Sequence, residues 1–172
     1  MPAAYRTIKE CDPMDLPQRK HPRLKHYDYS QNGCYFLTIC TKEKSCILGK
    51  VMADSRGLPT VLLSPMGKTV LSVIKEMSCH SSDFEIDHYV IMPNHLHLLL
   101  TLDNSGGQGT GRPTVMSLVH YLKRAVTMQL GQSIWQPSFY EHVIRNRESY
   151  LEIHNYITGN PGKWLSSHEV TL

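Results

Sequence analysis

His95 and His97 flank a single leucine in the run HLHLLLTL. Residues two apart in a strand point the same way, so His95, His97 and Leu99 share one face and Leu96, Leu98 and Leu100 the other. Imidazoles spaced ~6–7 Å along a strand can converge on one divalent cation. Equally, the pair can be two histidines on an exposed sheet face, and the tripeptide alone leaves both readings open. The leucines around it pin the strand and its register. Tyr156 and Asn160 form a second pair, four apart and therefore on one side of any helix that carries them. A phenol and a carboxamide so placed can address one metal-bound phosphate; a core tyrosine with a C-capping asparagine is the plainer alternative. A third group lies in the segment from Trp135 through His142 to Arg145. Its aromatic and basic side chains suit base stacking and phosphate contact, or Trp135, Phe139 and Ile144 are simply core.

The elements that must position these groups follow from periodicity. Residues 34–41, CYFLTICT, read as a strand, and 42–63 are ambiguous, with room for a short hairpin. Ser64-Pro65 is an N-cap followed by proline at the first helical position. Behind it, Met66, Val70, Val73, Ile74 and Met77 recur at helical spacing. Residues 84–102 read as two strands broken at Pro93-Asn94, because proline cannot donate in a central ladder. The Gly-rich stretch 103–113 lacks a phosphate-loop Lys-Ser/Thr and is assigned only flexibility. Residues 114–130 form a helix with an apolar stripe of Met116, Val119, Leu122, Val126 and Leu130. Lys123 and Arg124 lie off that stripe as candidate phosphate contacts. Residues 134–145 give a loop and a strand, and Asn146 caps a last helix expected to stop near Pro161. Strands that do not alternate strictly with helices predict an α+β layer, one antiparallel sheet with helices packed on one face.

Composition narrows the function classes. At 172 residues the chain is sized for one domain, divided here into an N-terminal polar and basic arm (1–30), a single folded unit (31–165) and a tail (166–172). No apolar run reaches membrane-helix length and no signal core opens the sequence, which predicts a cytoplasmic protein with no membrane partner. Five cysteines without a C-x-x-C pair are read as free thiols. A net charge of +3 is too small to indicate nucleic acid by itself. The acid-free run holding Arg19, Lys20, Arg23 and Lys25 is either an electrostatic footprint for phosphates or a solvated tail.

Taken together, three segments resemble one family. Tyr89 through Leu100, with His-Leu-His inside it, is similar to the signature of the single-tyrosine HUH transposases. Trp135 through Asn146, then Tyr156-Ile-Thr-Gly-Asn-Pro161 with Trp164, resemble its REP-associated tyrosine transposase branch, as does the lead-in from Arg23 to Gly33. The resemblance spans residues 23–164, with motif order and spacing in agreement. It implies a ferredoxin-like HUH endonuclease fold with the histidines on a central strand. It further implies Mg²⁺ or Mn²⁺ held by His95 and His97, with Asn160 assisting directly or through water, and Tyr156 as nucleophile. The implied substrate is single-stranded DNA beside a hairpin, cut and rejoined through a 5′-phosphotyrosine, in a prokaryotic, nucleoid-associated setting. Homodimer and monomer both stand open. Two other classes stay in view: a domesticated DNA-binding protein of this fold that no longer cuts, and a metallohydrolase for small phosphoesters. The latter needs further ligands after the histidine pair, where Leu98-Leu99-Leu100 offers none.

Overall fold

A computed structural model describes residues 27–79, 82–104 and 112–168. The basic run of Arg19, Lys20, Arg23 and Lys25 lies outside these residues. Of the expected arm, Tyr27 and Tyr29 are described, and both pack against the core.

Strand β1 (Gly33–Cys40) leads through a short turn at Lys42–Lys44 into a hairpin of β2 (Gly49–Ala53) and β3 (Pro59–Leu63). Helix α1 (Pro65–Cys79), strands β4 (Phe84–Met92) and β5 (His95–Leu102), helix α2 (Val115–Leu130), strand β6 (Tyr140–Ile144) and helix α3 (Arg147–His168) follow. The four long-paired strands form one sheet in the order β4-β5-β1-β6, and every neighbouring pair is antiparallel. Leaving aside the hairpin and α3, the path is β-α-β-β-α-β, the ferredoxin-like order. The histidine strand β5 is central, paired to β4 on one side and to β1 on the other.

Local chemistry sets the helix ends. Ser64 Oγ accepts from Gly67 N at 3.1 Å at the start of α1. Thr114 and Ser117 cap each other reciprocally at α2. Asn146 Oδ1 accepts from Ser149 N at 2.8 Å at α3, as the sequence predicts. The α1 stripe is buried as expected at Val70, Val73, Ile74 and Met77. On α2 the fully buried residues are Val115, Leu118, Val119, Leu122 and Val126; Met116 and Leu130 are only partly covered.

Helices α1 and α2 pack on the face of the sheet that carries Leu96, Leu98 and Leu100, so the one-face expectation holds for these two. Helix α3 lies on the opposite face, where Ile157 and Tyr156 meet Phe36 and Leu99. The reason is visible in β5: all its residues except Thr101 are buried, so both faces need a cover. The end of α3 also differs from expectation. It runs through Pro161 to His168, past the expected start of the tail at 166. An interior proline costs a helix about 3 kcal/mol and an interior glycine about 1, and α3 contains Gly159, Pro161 and Gly162. Packing on both sides offsets this: a Cβ at Gly162 would already touch Pro59 Cγ at 3.4 Å, and the Trp164 ring lies 6.1 Å from that of His95.

Candidate active site

Pairing places the chemistry in rows across the face that α3 covers. His95 sits opposite Cys40 and Met92, His97 opposite Thr38 and Val90, and Leu99 opposite Phe36 and His88. Both histidines are buried, which removes the reading of an exposed pair. Their ring centres are 4.5 Å apart. His95 Nδ1 is 2.6 Å from Asn94 Oδ1, and His97 Nδ1 is 2.9 Å from Thr38 Oγ1. These contacts fix the rings and leave the two Nε2 atoms, both buried and neither hydrogen-bonded among the described residues. Such atoms cost roughly 1–3 kcal/mol each unless something pairs with them. Because Asn94 Oδ1 can only accept, His95 carries its proton on Nδ1 and offers a lone pair at Nε2.

Burial is the main cause that pulls His95 down to about 4, with the Lys44 charge adding to it and Asn160 opposing. His97 is held well below its ordinary value, again by burial and then by His95. Both imidazoles are therefore neutral at neutral pH, the form that ligates a metal.

Helix α3 brings Tyr156 to this pair. Its ring centre is 5.5 Å from His97 and 6.0 Å from Phe36, edge-on to both. The side chain is half-buried, not sealed in the interior. Burial raises the phenol above its ordinary value, and the Asn160 carboxamide works against that rise. Asn160 is itself buried and acts on His95 and Tyr156 alike. Thus His95, His97, Tyr156 and Asn160 converge within one chain. The described residues hold no cluster of three or more His, Cys, Asp or Glu suited to a metal. The donor set is two imidazoles and one carboxamide, which fits a divalent cation that completes its shell with water or phosphate oxygens.

Other expected contacts are corrected. Trp135 is 3% exposed and part of the core beneath the sheet, so its ring offers no face for a base to stack on. Lys123, a candidate phosphate contact, is engaged by backbone carbonyls of the β6 lead-in. Its Nζ donates to the carbonyls of Gln136, Pro137 and Ser138 at 2.8, 3.2 and 3.0 Å, which uses all three protons. Accordingly, Lys123→Met is expected to lower the melting temperature, and an unchanged melting temperature would contradict the clamp role. His142 lies on the site face, paired with Phe36. Arg145 is exposed beyond β6, and Arg124 is exposed on α2, behind the sheet.

Sequence reasoning missed several participants. Thr38 orients His97 only because β1 pairs with β5, a contact 59 residues long in sequence. Lys44 follows β1 in a turn where it and Glu43 take φ of 51° and 54°, unusual for non-glycine residues. Lys163 places its Nζ 5.0 Å from the Tyr156 ring centre. His88 and His154 stack at 4.3 Å between β4 and α3.

A ferredoxin-like sheet with an imidazole pair on its central strand, and a tyrosine helix laid across that pair, is the arrangement of the single-tyrosine HUH proteins. Comparison with known proteins narrows the class. No family model matches the chain. An uncharacterized protein of Haemophilus influenzae is 34% identical over 170 residues, covering 87% of this chain and 91% of the relative. The REP-associated tyrosine transposase of Escherichia coli K12 is 37% identical over 81 residues, 46% of each chain. Among solved structures, that of a REP-associated tyrosine transposase bound to a REP hairpin superposes with a TM-score of 0.60 at 26% identity, covering 82% of this chain and 73% of that one. The chain belongs to the REP-associated tyrosine transposase family.

Proposed function

We propose that this protein cuts and rejoins single-stranded DNA beside hairpins, through a covalent link between Tyr156 and a 5′-phosphate. The observation that carries the reading is the Tyr156 ring set 5.5 Å from His97, above two buried imidazoles whose Nε2 atoms have no hydrogen bond among the described residues. His95, His97 and Asn160 would hold Mg²⁺ or Mn²⁺, which supplies Lewis-acid polarisation of the scissile phosphate and offsets its developing charge.

The chain's own residues account for the rest. Asn94 and Thr38 hold the two rings in one orientation. Helix α3 presents the phenol, which is a weak nucleophile while protonated. In the cutting step the Tyr156 Oη–P bond forms and the P–O3′ bond breaks. The phenol proton passes to solvent, and the departing 3′ oxygen takes one from solvent. The phosphotyrosine bond keeps the energy of the phosphodiester, so a 3′-hydroxyl can attack it and rejoin the strand without ATP.

Incubation with end-labelled, hairpin-flanked single-stranded DNA and Mn²⁺ tests the proposal. The expected result is a protein–oligonucleotide adduct that survives denaturation. Tight hairpin binding without any adduct would instead make the protein a DNA-binding member of the fold that does not cut. On the membrane side, no helix among the described residues is long and apolar enough to cross a bilayer.

A further inference from the structure

Glu43 and Lys44, in the turn after β1, take φ of 54° and 51°, the left-handed region that glycine and asparagine enter most easily. Both side chains are exposed, so burial does not hold them there. The backbone around them does. Lys44 N donates to Thr41 O at 3.1 Å and Ser45 N to Lys42 O at 3.0 Å. Lys42 N donates to Ile134 O at 2.8 Å, and Leu48 N to Pro93 O at 2.9 Å. The buried Thr41 donates from its N to Asn94 O at 3.0 Å, and its Oγ1 lies 3.0 Å from that carbonyl and 2.8 Å from that of Ser45. The turn is thus fixed to Pro93-Asn94, and Asn94 is the residue that orients the His95 ring.

Backbone strain enforced by its surroundings, beside a chemical site, points to a use for the side chain it delivers. The plainer reading is a tight connection that carries a solvated lysine. Placement argues for the first. Strand β1 ends at Cys40, opposite His95, so the turn stands at the His95 end of the imidazole pair. The Lys44 charge is felt at His95 although the side chain is exposed. The ion pair found among the described residues, Arg56 with Asp54, does not involve Lys44. Tyr156 approaches from the other end, with its ring against His97. In phosphoryl transfer the attacking and leaving oxygens lie roughly in line across phosphorus. With the phenol on the His97 side, the departing 3′ oxygen and its strand lie toward His95 and the turn.

We propose that Lys44 is a positioning residue that grips a backbone phosphate of the 3′-hydroxyl strand, on the side of the cut away from Tyr156. This rests on the cleavage reading above. Lys44 makes and breaks no bond, and its ammonium stays protonated. Its work follows the cut. The 5′-phosphate strand is then covalently bound, whereas the 3′-hydroxyl strand is held by contacts alone and must stay in place to be rejoined.

Binding of a hairpin-flanked single strand, followed by anisotropy at several salt concentrations with no divalent metal added, tests the contact on the full chain. Lys44→Asn removes the charge and suits left-handed angles. It is expected to bind about fivefold more weakly at about 0.1 M salt, with a salt slope shallower by about 0.7, the share of one single-strand phosphate. Lys44→Arg should keep both affinity and slope. The melting temperature of Lys44→Asn should equal or exceed that of the parent. Strands with one neutral methylphosphonate linkage each then locate the phosphate. One linkage should weaken binding by the parent and cost Lys44→Asn nothing further. With Mn²⁺ present, that linkage should fall in the 3′-hydroxyl fragment, and Lys44→Asn should rejoin less of what it cuts. Parental affinity and slope in Lys44→Asn overturn the proposal. So does a lower melting temperature, since the lysine would then serve the turn, and so does coupling to a linkage in the phosphotyrosine fragment. Coupling to one linkage in a parent chain that forms no adduct supports the phosphate contact and overturns the cleavage reading instead.

Discussion

Tyr156→Phe is expected to abolish covalent capture of DNA, a loss of at least about a thousandfold, while hairpin affinity stays within about twofold. The substitution removes one oxygen and keeps the ring, so the edge contacts with Phe36 and His97 survive and α3 stays docked. The other tyrosines on this face are poor substitutes. Tyr140 lies on β6, with β1 between it and the histidine strand. Tyr150 stands almost two turns earlier on α3, its phenol pushed up by burial and by Asp87. Because burial also raises Tyr156, the unsubstituted protein should cut faster as pH climbs from neutrality, as more phenolate becomes available. Adduct yield on a denaturing gel, beside a binding titration, measures both effects. Retained cutting by the Phe variant would move the nucleophile elsewhere.

His95→Ala and His97→Ala should each reduce Mn²⁺-supported adduct formation by two or more orders of magnitude, because each removes a neutral imidazole from a set with three donors. Direct Mn²⁺ titration of the protein by calorimetry separates this from a folding defect. The unsubstituted chain should bind and the variants should not, with helical content unchanged. Acid gives a further check. His95 is held near 4 by burial, against an ordinary value of 6.5, so protonation favours the unfolded chain. Its contribution to stability is complete above pH 6.5 and is lost as pH falls toward 4. Protons therefore compete little with the metal until the fold itself weakens, and Mn²⁺ binding should persist somewhat below pH 6.5 even as cutting slows. Metal binding by His97→Ala equal to that of the parent would contradict the ligand role.

Much of this site was legible in the sequence because it obeys local rules. The period of two in HLHLLLTL put both histidines on one face, and the spacing of four put Tyr156 and Asn160 on one side of a helix. The signals at Ser64-Pro65 and Asn146 marked two helix starts, since capping is a matter of adjacent residues. What failed was non-local. Pro161 reads as a stop, yet Gly162 on Pro59 and Trp164 near His95 hold the helix beyond it. Lys123 reads as a free cation because the carbonyls it clamps lie 13–15 residues away, in a turn no periodicity describes. Trp135 reads equally as a stacking platform or as core, and only the bridge between Thr41 and Trp135, at the buried end of β1, decides for core. Thr38 has no signature at all; only the β1–β5 register brings it to His97.

The most direct test is to trap the DNA adduct with Mn²⁺, digest it and sequence the modified peptide by mass spectrometry. The nucleotide is expected on the α3 peptide, joined through its 5′-phosphate to Tyr156. A nucleotide found on any other side chain, or on Tyr156 through a 3′-phosphate, would contradict the mechanism set out above.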